Sequence, residues 1–379
     1  MAADSLPRLL IIGPRSIVGH EGGVEKFAEE FVPRAAPSTR IDALCLVAAS
    51  RPLPPNVVVV QVPRSRFFRT DKAFYLLYAL WLHAARRYDR IFILGMNFAI
   101  LVPFMRLMLW RRSQIYVRTG SIDYVLPKWS RPMRWIMRFS ESMMRHADRV
   151  MAVAPSLVAH LEARGIASRL LPNGLEKKGP APDIRSRDGK VLAIGRVTAQ
   201  KNYGVLIEAV KRLGDHAPDV MIIGGADLSP GATALAEQCR EAGGRARLAG
   251  RLSRQEVLER LRGASLYVNC SLHEGMSNAV LEAIQEGIAV ILSDNEANRD
   301  FMLPDHHYFQ PTDPDELGAL ILKALDQPQD FVVDVSRFLT WDKAIEGYLE
   351  EMRLEHPPAK WIPVGGKSGC ENKKRERQI

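Results

Sequence analysis

NCSLHEGMSNAVLEAIQEGIAVILSDN, residues 269–295, reads as a strand, a loop, a helix starting near Ser277 or Asn278, and a second strand after Gly287. Neighbouring parallel strands need a crossover between them, so this order reads as one βαβ unit. Two carboxylates separated by seven residues fall inside it. Glu274 sits in the loop at the strand's carboxyl end, and Glu282 sits one or two turns into the helix. In an open parallel sheet, ligands bind in the crevice beyond the carboxyl ends of the strands. Both glutamates could therefore face one crevice. Gly275 and the backbone N–H groups of Met276, Ser277 and Asn278 lie at the helix start, where unpaired amides and the helix dipole favour an anion. A phosphate held there would lie between the two carboxylates.

An anion also wants cations, and AIGRVTAQKNYGVLIEAV (193–210) supplies Arg196 just after a strand and Lys201 before the next helix. A guanidinium fork and a mobile ammonium together suit a diphosphate. Similar apolar runs recur as LLIIG (9–13), IFILG (91–95), VLAIG (191–195), VMIIGG (220–225) and AVILS (289–293). Each precedes a helical pattern, and that alternation predicts parallel sheets flanked by helices in both halves of the chain. Residues 172–190, PNGLEKKGPAPDIRSRDGK, are rich in Pro, Gly and charge without a period, as a linker should be. The expected units are 1–175 and 176–340, followed by a helix over 341–356 and a basic, disordered tail over 357–379.

With 379 residues, 47% hydrophobic and 25% charged, the chain has the size for about two globular domains and the composition of neither a disordered nor a polytopic membrane protein. Charge is unevenly placed. Residues 1–175 carry 25 basic and 12 acidic side chains, whereas 176–350 carry 20 and 27. A cationic first half points to an anionic partner, either nucleic acid or a phospholipid surface. The four cysteines, Cys45, Cys239, Cys270 and Cys370, form no C-x-x-C pair, which indicates neither a zinc site nor a disulfide framework. Asp4 stands where an export signal would be positive, so a cytoplasmic location is expected.

These motifs resemble glycosyltransferase family 4, retaining enzymes of the GT-B fold, in which two Rossmann-like domains face each other. The similarity runs through EGMSNAVLEA, which carries the family's E-x7-E, and through GRVTAQKN (195–202) and AGRLSRQEVLERLRGASLYV (249–268). In the first half it is looser, in GHEGGVEKFAEEF (19–31), HADRVMAVAPSLVAHL (146–161) and LPNG (171–174). The resemblance implies an α/β GT-B fold with the C-terminal helix returning to the first domain. It implies that Arg196 and Lys201 hold a donor diphosphate, that Glu282 binds the ribose hydroxyls and that Glu274 holds the transferred sugar. Gly22 and Gly23 match the glycine loop after the first strand. Gly275 and the amides of Met276, Ser277 and Asn278 match the turn over the diphosphate. Arg251 and Leu252 fall where the nucleobase loop lies. A His found after a first-domain strand in many members is replaced here by VRTGSIDYVLPKW (117–129), whose one carboxylate, Asp123, reads as a substrate contact or a loop charge.

The implied co-substrate is a UDP- or GDP-linked sugar, with no other cofactor. No metal is expected, because the one D-x-D, at Asp313 and Asp315, reads as a helix cap. GGKSG (365–369) lacks the first glycine of a phosphate-binding loop, and His273 reads as a structural loop residue. The apolar stretch 91–110 has Asn97, Pro103 and Arg106 inside it and reads as a buried strand and helix rather than a membrane span. KWSRPMRWIMRFSESMMRHADR (128–149) places Arg131, Arg134, Arg138 and Arg145 beside Trp135, Ile136, Phe139 and Met143 at helical spacing. It reads either as a core-facing helix with a solvated Arg face or, with RSRFFRT (64–70), Arg86-Arg87 and Arg111-Arg112, as a surface for anionic lipid. The expectation is a hexosyltransferase peripheral to the inner membrane face, acting on a saccharide or lipid-linked acceptor in polysaccharide or glycolipid synthesis. Its rivals are a GT-B sugar-nucleotide epimerase and a nucleic-acid-binding protein, the latter lacking the stacking aromatics it would need.

Overall fold

The computed structural model describes residues 6–354 apart from 20–21, 64–70, 109–112, 126–128, 177–182, 185–186, 226–233, 236 and 240–243. The clusters 64–70 and 111–112, part of the linker and the whole of 357–379 thus lie wholly or partly outside the described residues. Among the described residues the chain forms two parallel sheets. The first contains β1 (Arg8–Ile12), β2 (Arg40–Cys45), β3 (Val57–Gln61), β4 (Arg90–Leu94), β5 (Gln114–Thr119), β6 (Arg149–Ala152) and β7 (Arg169–Leu170). The second contains β8 (Val191–Ile194), β9 (Val220–Ile223), β10 (Ala246–Gly250), β11 (Leu266–Asn269), β12 (Ala289–Ser293) and β13 (Tyr308–Phe309). All five apolar runs singled out above are strands.

Strand order is β3-β2-β1-β4-β5-β6-β7 in one sheet and β10-β9-β8-β11-β12-β13 in the other. Every pairing is parallel, for example Leu10 beside Asp42 and Ile91, and Tyr267 beside Val290 and Leu192. Order reverses between β1 and β4 and between β8 and β11, which opens a crevice at the carboxyl end of each sheet. Helices cover both faces, so the central strands are apolar on both sides: Leu9 to Ile12, Ile91 to Phe92 and Val290 to Leu292 are fully buried. These are the two facing Rossmann-like domains of the GT-B fold.

The helix Trp341–Glu351 leaves the second domain and packs on the first, against the helix Gly23–Ala35. The ring of Phe27 lies 4.8 Å from that of Tyr348 and 6.4 Å from that of Trp341, and Arg34 donates to Asp342 at 2.8 Å. Its buried face, Trp341, Ala344, Ile345, Tyr348 and Leu349, belongs to the first domain's core. The chain thus crosses between domains twice, and the two crossings pair: Leu175 N donates to Leu339 O and Trp341 N to Leu175 O, both at 2.8 Å. A Cβ on Gly174 would sit 2.4 Å from Trp341 N, so no other residue fits between the crossings.

Residues 91–108 form β4, a short turn at Met96–Phe98 and the seven-residue helix Leu101–Leu107. No helix among the described residues is long and apolar enough to cross a membrane. The helix Arg131–Met143 turns only Met137 of its apolar side chains into the core. Only Met137, Ser140 and Glu141 are buried, while Trp135 is 68% exposed and stacks on Phe139 with centroids 5.8 Å apart.

Candidate active site

The second domain's edge is built from the loops after β8 and β11. After β8 the chain turns at Gly195, whose φ of 150° disfavours an L side chain and where a Cβ would lie 2.8 Å from Lys201 Cε. A turn over Ala199–Lys201 and a left-handed Asn202 (φ 51°) then lead into the helix Tyr203–Leu213. Gln200 ties this loop to the next one: its Nε2 donates to His273 O at 2.7 Å, and its carbonyl accepts from Leu272 N at 2.8 Å. As a result Lys201 Nζ pairs with Glu274 Oε1, which also accepts from Ser271 Oγ at 2.7 Å. Both side chains are mostly buried. Arg196 stands exposed just past the same strand.

Glu282 lies in the second turn of the helix Asn278–Gln285. Ser277 occupies the N-cap but makes no side-chain cap bond, so no side chain of the cap fills the anion-favouring start of this helix. Glu282 Oε1 accepts from Arg254 Nη1 at 2.8 Å. Arg254 begins the helix Arg254–Gly263, fixed by the reciprocal cap of Ser253 and Glu256. It also reaches Glu176 at 3.5 Å, and Glu176 reaches Lys26 of the first domain at 3.3 Å. Burial works against the Arg254 charge, but the carboxylates of Glu282, Glu176 and Glu29 together hold the guanidinium pKa above its usual value. Lys26, Gly174, Glu176, Arg254, Asn278 and Glu282 line a small recess between the domains. Arg251 lies over Gly225 at the end of β9, where a Cβ would be 3.3 Å from its Nε, and Leu252 packs on the second domain's core.

The first domain presents the opposite edge. Gly23 faces Asn278, with 3.9 Å between a Cβ built there and Asn278 Nδ2. Gly22 makes room for Glu25, whose Oε2 a Cβ would meet at 2.1 Å and whose Oε1 accepts from Arg15 Nε at 2.9 Å. The domains touch at Gly275: a Cβ there would lie 1.7 Å from Gly120 O, so the cleft closes to this distance only with glycine in that place. Met276 packs against the cores of both domains. Asp123 accepts from Ser121 Oγ at 2.7 Å and Asn97 Nδ2 at 3.3 Å, so its carboxylate is engaged in shaping its own loop. Asp313 caps the helix Pro314–Asp326, accepting from the amides of Asp315 and Glu316 at 3.0 Å.

Lys201 and Glu274 therefore meet, and Glu282 and the open helix start share the same sheet edge. Gly22, Gly23 and Asp123 belong to the facing edge. Sequence reasoning missed four residues. Arg254, which holds Glu282, looks like any helix-surface arginine in AGRLSRQEVLERL. Asn173 Nδ2 donates to Asn278 Oδ1 at 2.9 Å, and its own Oδ1 accepts from Arg118 Nη2 at 2.6 Å. Asp300 of the second domain caps the first domain's helix Pro155–Ala163, accepting from Ser156 N at 3.0 Å and from its hydroxyl. LPNG and VRTG carried the only signal, a polar residue closing an apolar strand or turn.

Residues 188–327 match the family described as Glycosyl transferases group 1. No curated protein matches the chain. Among solved structures, sucrose-phosphate synthase from Thermosynechococcus elongatus is similar at TM-score 0.77 and 18% identity, over 92% of this chain and 98% of that one. HepE from Anabaena, solved in complex with UDP, superposes at TM-score 0.71 and 14% identity, over 92% of this chain and 100% of that one. WaaG, a glycosyltransferase involved in lipopolysaccharide biosynthesis, gives 0.67 and 14%, over 90% and 95%. At these identities the structures establish the GT-B fold. Together with the family match they support a glycosyltransferase.

Proposed function

We propose that the chain is a retaining glycosyltransferase that moves a hexosyl group from a UDP- or GDP-linked sugar to a saccharide acceptor, a reading carried by one contact: Lys201 against Glu274 beside an open helix start. In this reading the second unit (176–340) holds the donor and the first (1–175) the acceptor. Breaking the bond from the anomeric carbon to phosphate puts positive charge on the sugar and negative charge on the diphosphate. Fixed cations and helix amides aimed at the leaving group are then the main lever. Lys201 and Arg196 supply the cations, and the amides of Met276, Ser277 and Asn278 supply the donors. As Lys201 turns to phosphate, Glu274 becomes available to sugar hydroxyls. Glu282, oriented by Arg254, accepts from the ribose. The acceptor hydroxyl attacks from the face the diphosphate leaves, so the anomeric configuration is kept.

The lipid-facing part of the proposal rests on the helix Arg131–Met143, which exposes Met133, Trp135, Ile136 and Phe139 between Arg131, Arg138 and Arg145. Apolar side chains flanked by cations suit an anionic membrane surface, each cation near it adding about 1 kcal/mol. The reading adds a lipid-linked acceptor at the inner membrane face. Thermal-shift titration with UDP- and GDP-sugars tests the donor: one nucleotide series should raise the melting temperature, and no shift with either overturns the reading. NMR of the product anomer tests retention, which an inverted product would defeat. Flotation should recover the protein with anionic vesicles and not with neutral ones. Equal recovery sinks the lipid surface alone.

A further inference from the structure

Arg118, the penultimate residue of β5, is 3% exposed and pairs with no carboxylate among the described residues. Its contacts are neutral. Nε donates to Tyr348 Oη at 3.0 Å, Nη2 donates to Asn173 Oδ1 at 2.6 Å, and the guanidinium stacks over Phe27, 3.9 Å from the ring centroid. Nη1 makes no hydrogen bond among the described residues. It points to Gly120, where a Cβ would lie 3.8 Å away, and Gly120 is the residue whose carbonyl touches Gly275. A buried cation without a counter-charge is costly, and neutral acceptors recover only part of that cost. Elsewhere in this cleft every mostly buried cation has a carboxylate, as Lys201 has Glu274 and Lys26 has Glu30. Among the described residues the missing charge is therefore a feature of this one position.

The position also has a direction. Arg118 is joined through Asn173 to Asn278, the first residue of the helix whose start is open to an anion. We propose that Arg118 is a phosphate-binding residue: the first domain presents its Nη1 to a phosphate oxygen of the donor diphosphate held at the start of the helix Asn278–Gln285. This rests on the donor reading above and deepens it, because the diphosphate then draws on both domains at once. Bound donor supplies a counter-charge that no described residue gives Arg118, and the Tyr348–Arg118–Asn173–Asn278 chain aligns the two edges around it.

Isothermal titration of the full chain, Arg118→Gln and Arg118→Lys with UDP and GDP, each beside its nucleoside, separates the outcomes. A charge-assisted contact to phosphate should make Arg118→Gln bind the diphosphate about 10- to 100-fold more weakly, with nucleoside affinity changed less than about twofold. Arg118→Lys should fall between, since it keeps charge and loses the fork. Should the Gln variant melt at the assay temperature, the Lys variant decides on the same ratio. An unchanged ratio of diphosphate to nucleoside affinity makes Arg118 a structural bolt and overturns the proposal while the donor reading stands. Inorganic phosphate that still binds through Arg118 beside saturating nucleoside diphosphate assigns the anion to an acceptor, and also overturns it. Failure of the wild type to bind either diphosphate defeats the donor reading itself.

Discussion

Two mostly buried cations that face each other across the cleft handle charge in opposite ways. On the second domain Lys201 has Glu274 and Arg254 has Glu282. On the first, Arg118 is held by neutral groups and an aromatic face. Paired charges are stable without ligand and must exchange partners when one binds. A cation with no carboxylate among the described residues is free to take a counter-charge from a ligand. On the readings proposed above, the Lys201–Glu274 pair would act on the leaving group and Arg118 would respond to whether the cleft is filled.

The contrast can be broken at several points. The largest effect is expected at the Lys201–Glu274 pair. Lys201→Ala or Glu274→Gln should lower kcat about 100- to 1000-fold, the effect of losing one donor aimed at developing charge. A steady-state assay with either variant within tenfold of wild type would remove the second edge from the chemistry.

His307, in the second domain's core, gives the next effect. Burial, opposed by its hydrogen bond to Val290 O and aided by His306 and Arg337, pulls its pKa from 6.5 down to about 4. The folded state therefore prefers neutral imidazole. Its contribution is complete above pH 6.5 and is lost as pH falls toward 4, by about 3 kcal/mol at most. Urea melts between pH 7.5 and 4.5 should show a steeper loss for wild type than for His307→Gln, and equal slopes would remove the assignment.

Gly275→Ala probes the contact between the edges. Its Cβ would strike Gly120 O, an atom of the other domain, so the cost falls on closure and not on folding. About a tenfold loss of kcat is expected with a melting temperature within a few degrees of wild type, and a calorimetric scan beside the rate assay checks both. The smallest effect belongs to Asp300→Ala. Loss of a helix cap is worth about 1 kcal/mol, and here it should appear in the first domain although the substitution lies in the second. Hydrogen exchange confined to the helix Pro155–Ala163 would show it.

How much could be read in advance follows from chain distance. The helix Asn278–Gln285, its glycine turn and both glutamates lie within one βαβ unit, and Lys201 joins them from the strand beside it. The aromatic face of Arg131–Met143 was legible as amphipathic but not as outward-facing, because periodicity gives a stripe and not its direction. Asp123 shared the problem: its partners Asn97 and Ser121 are set by loop geometry.

The sequence alone determined the two parallel sheets, the order of the five apolar strands along the chain and the placing of Lys201, Glu274 and Glu282 at the carboxyl end of the second sheet. These rest on periodicity and on spacing within a single supersecondary unit, which short-range sterics and burial enforce. Tertiary structure decided which charges are paired. Arg118 finds Tyr348 across 230 residues and Arg254 finds Glu282 across 28, and only the packing of separate elements brings such groups within hydrogen-bond reach.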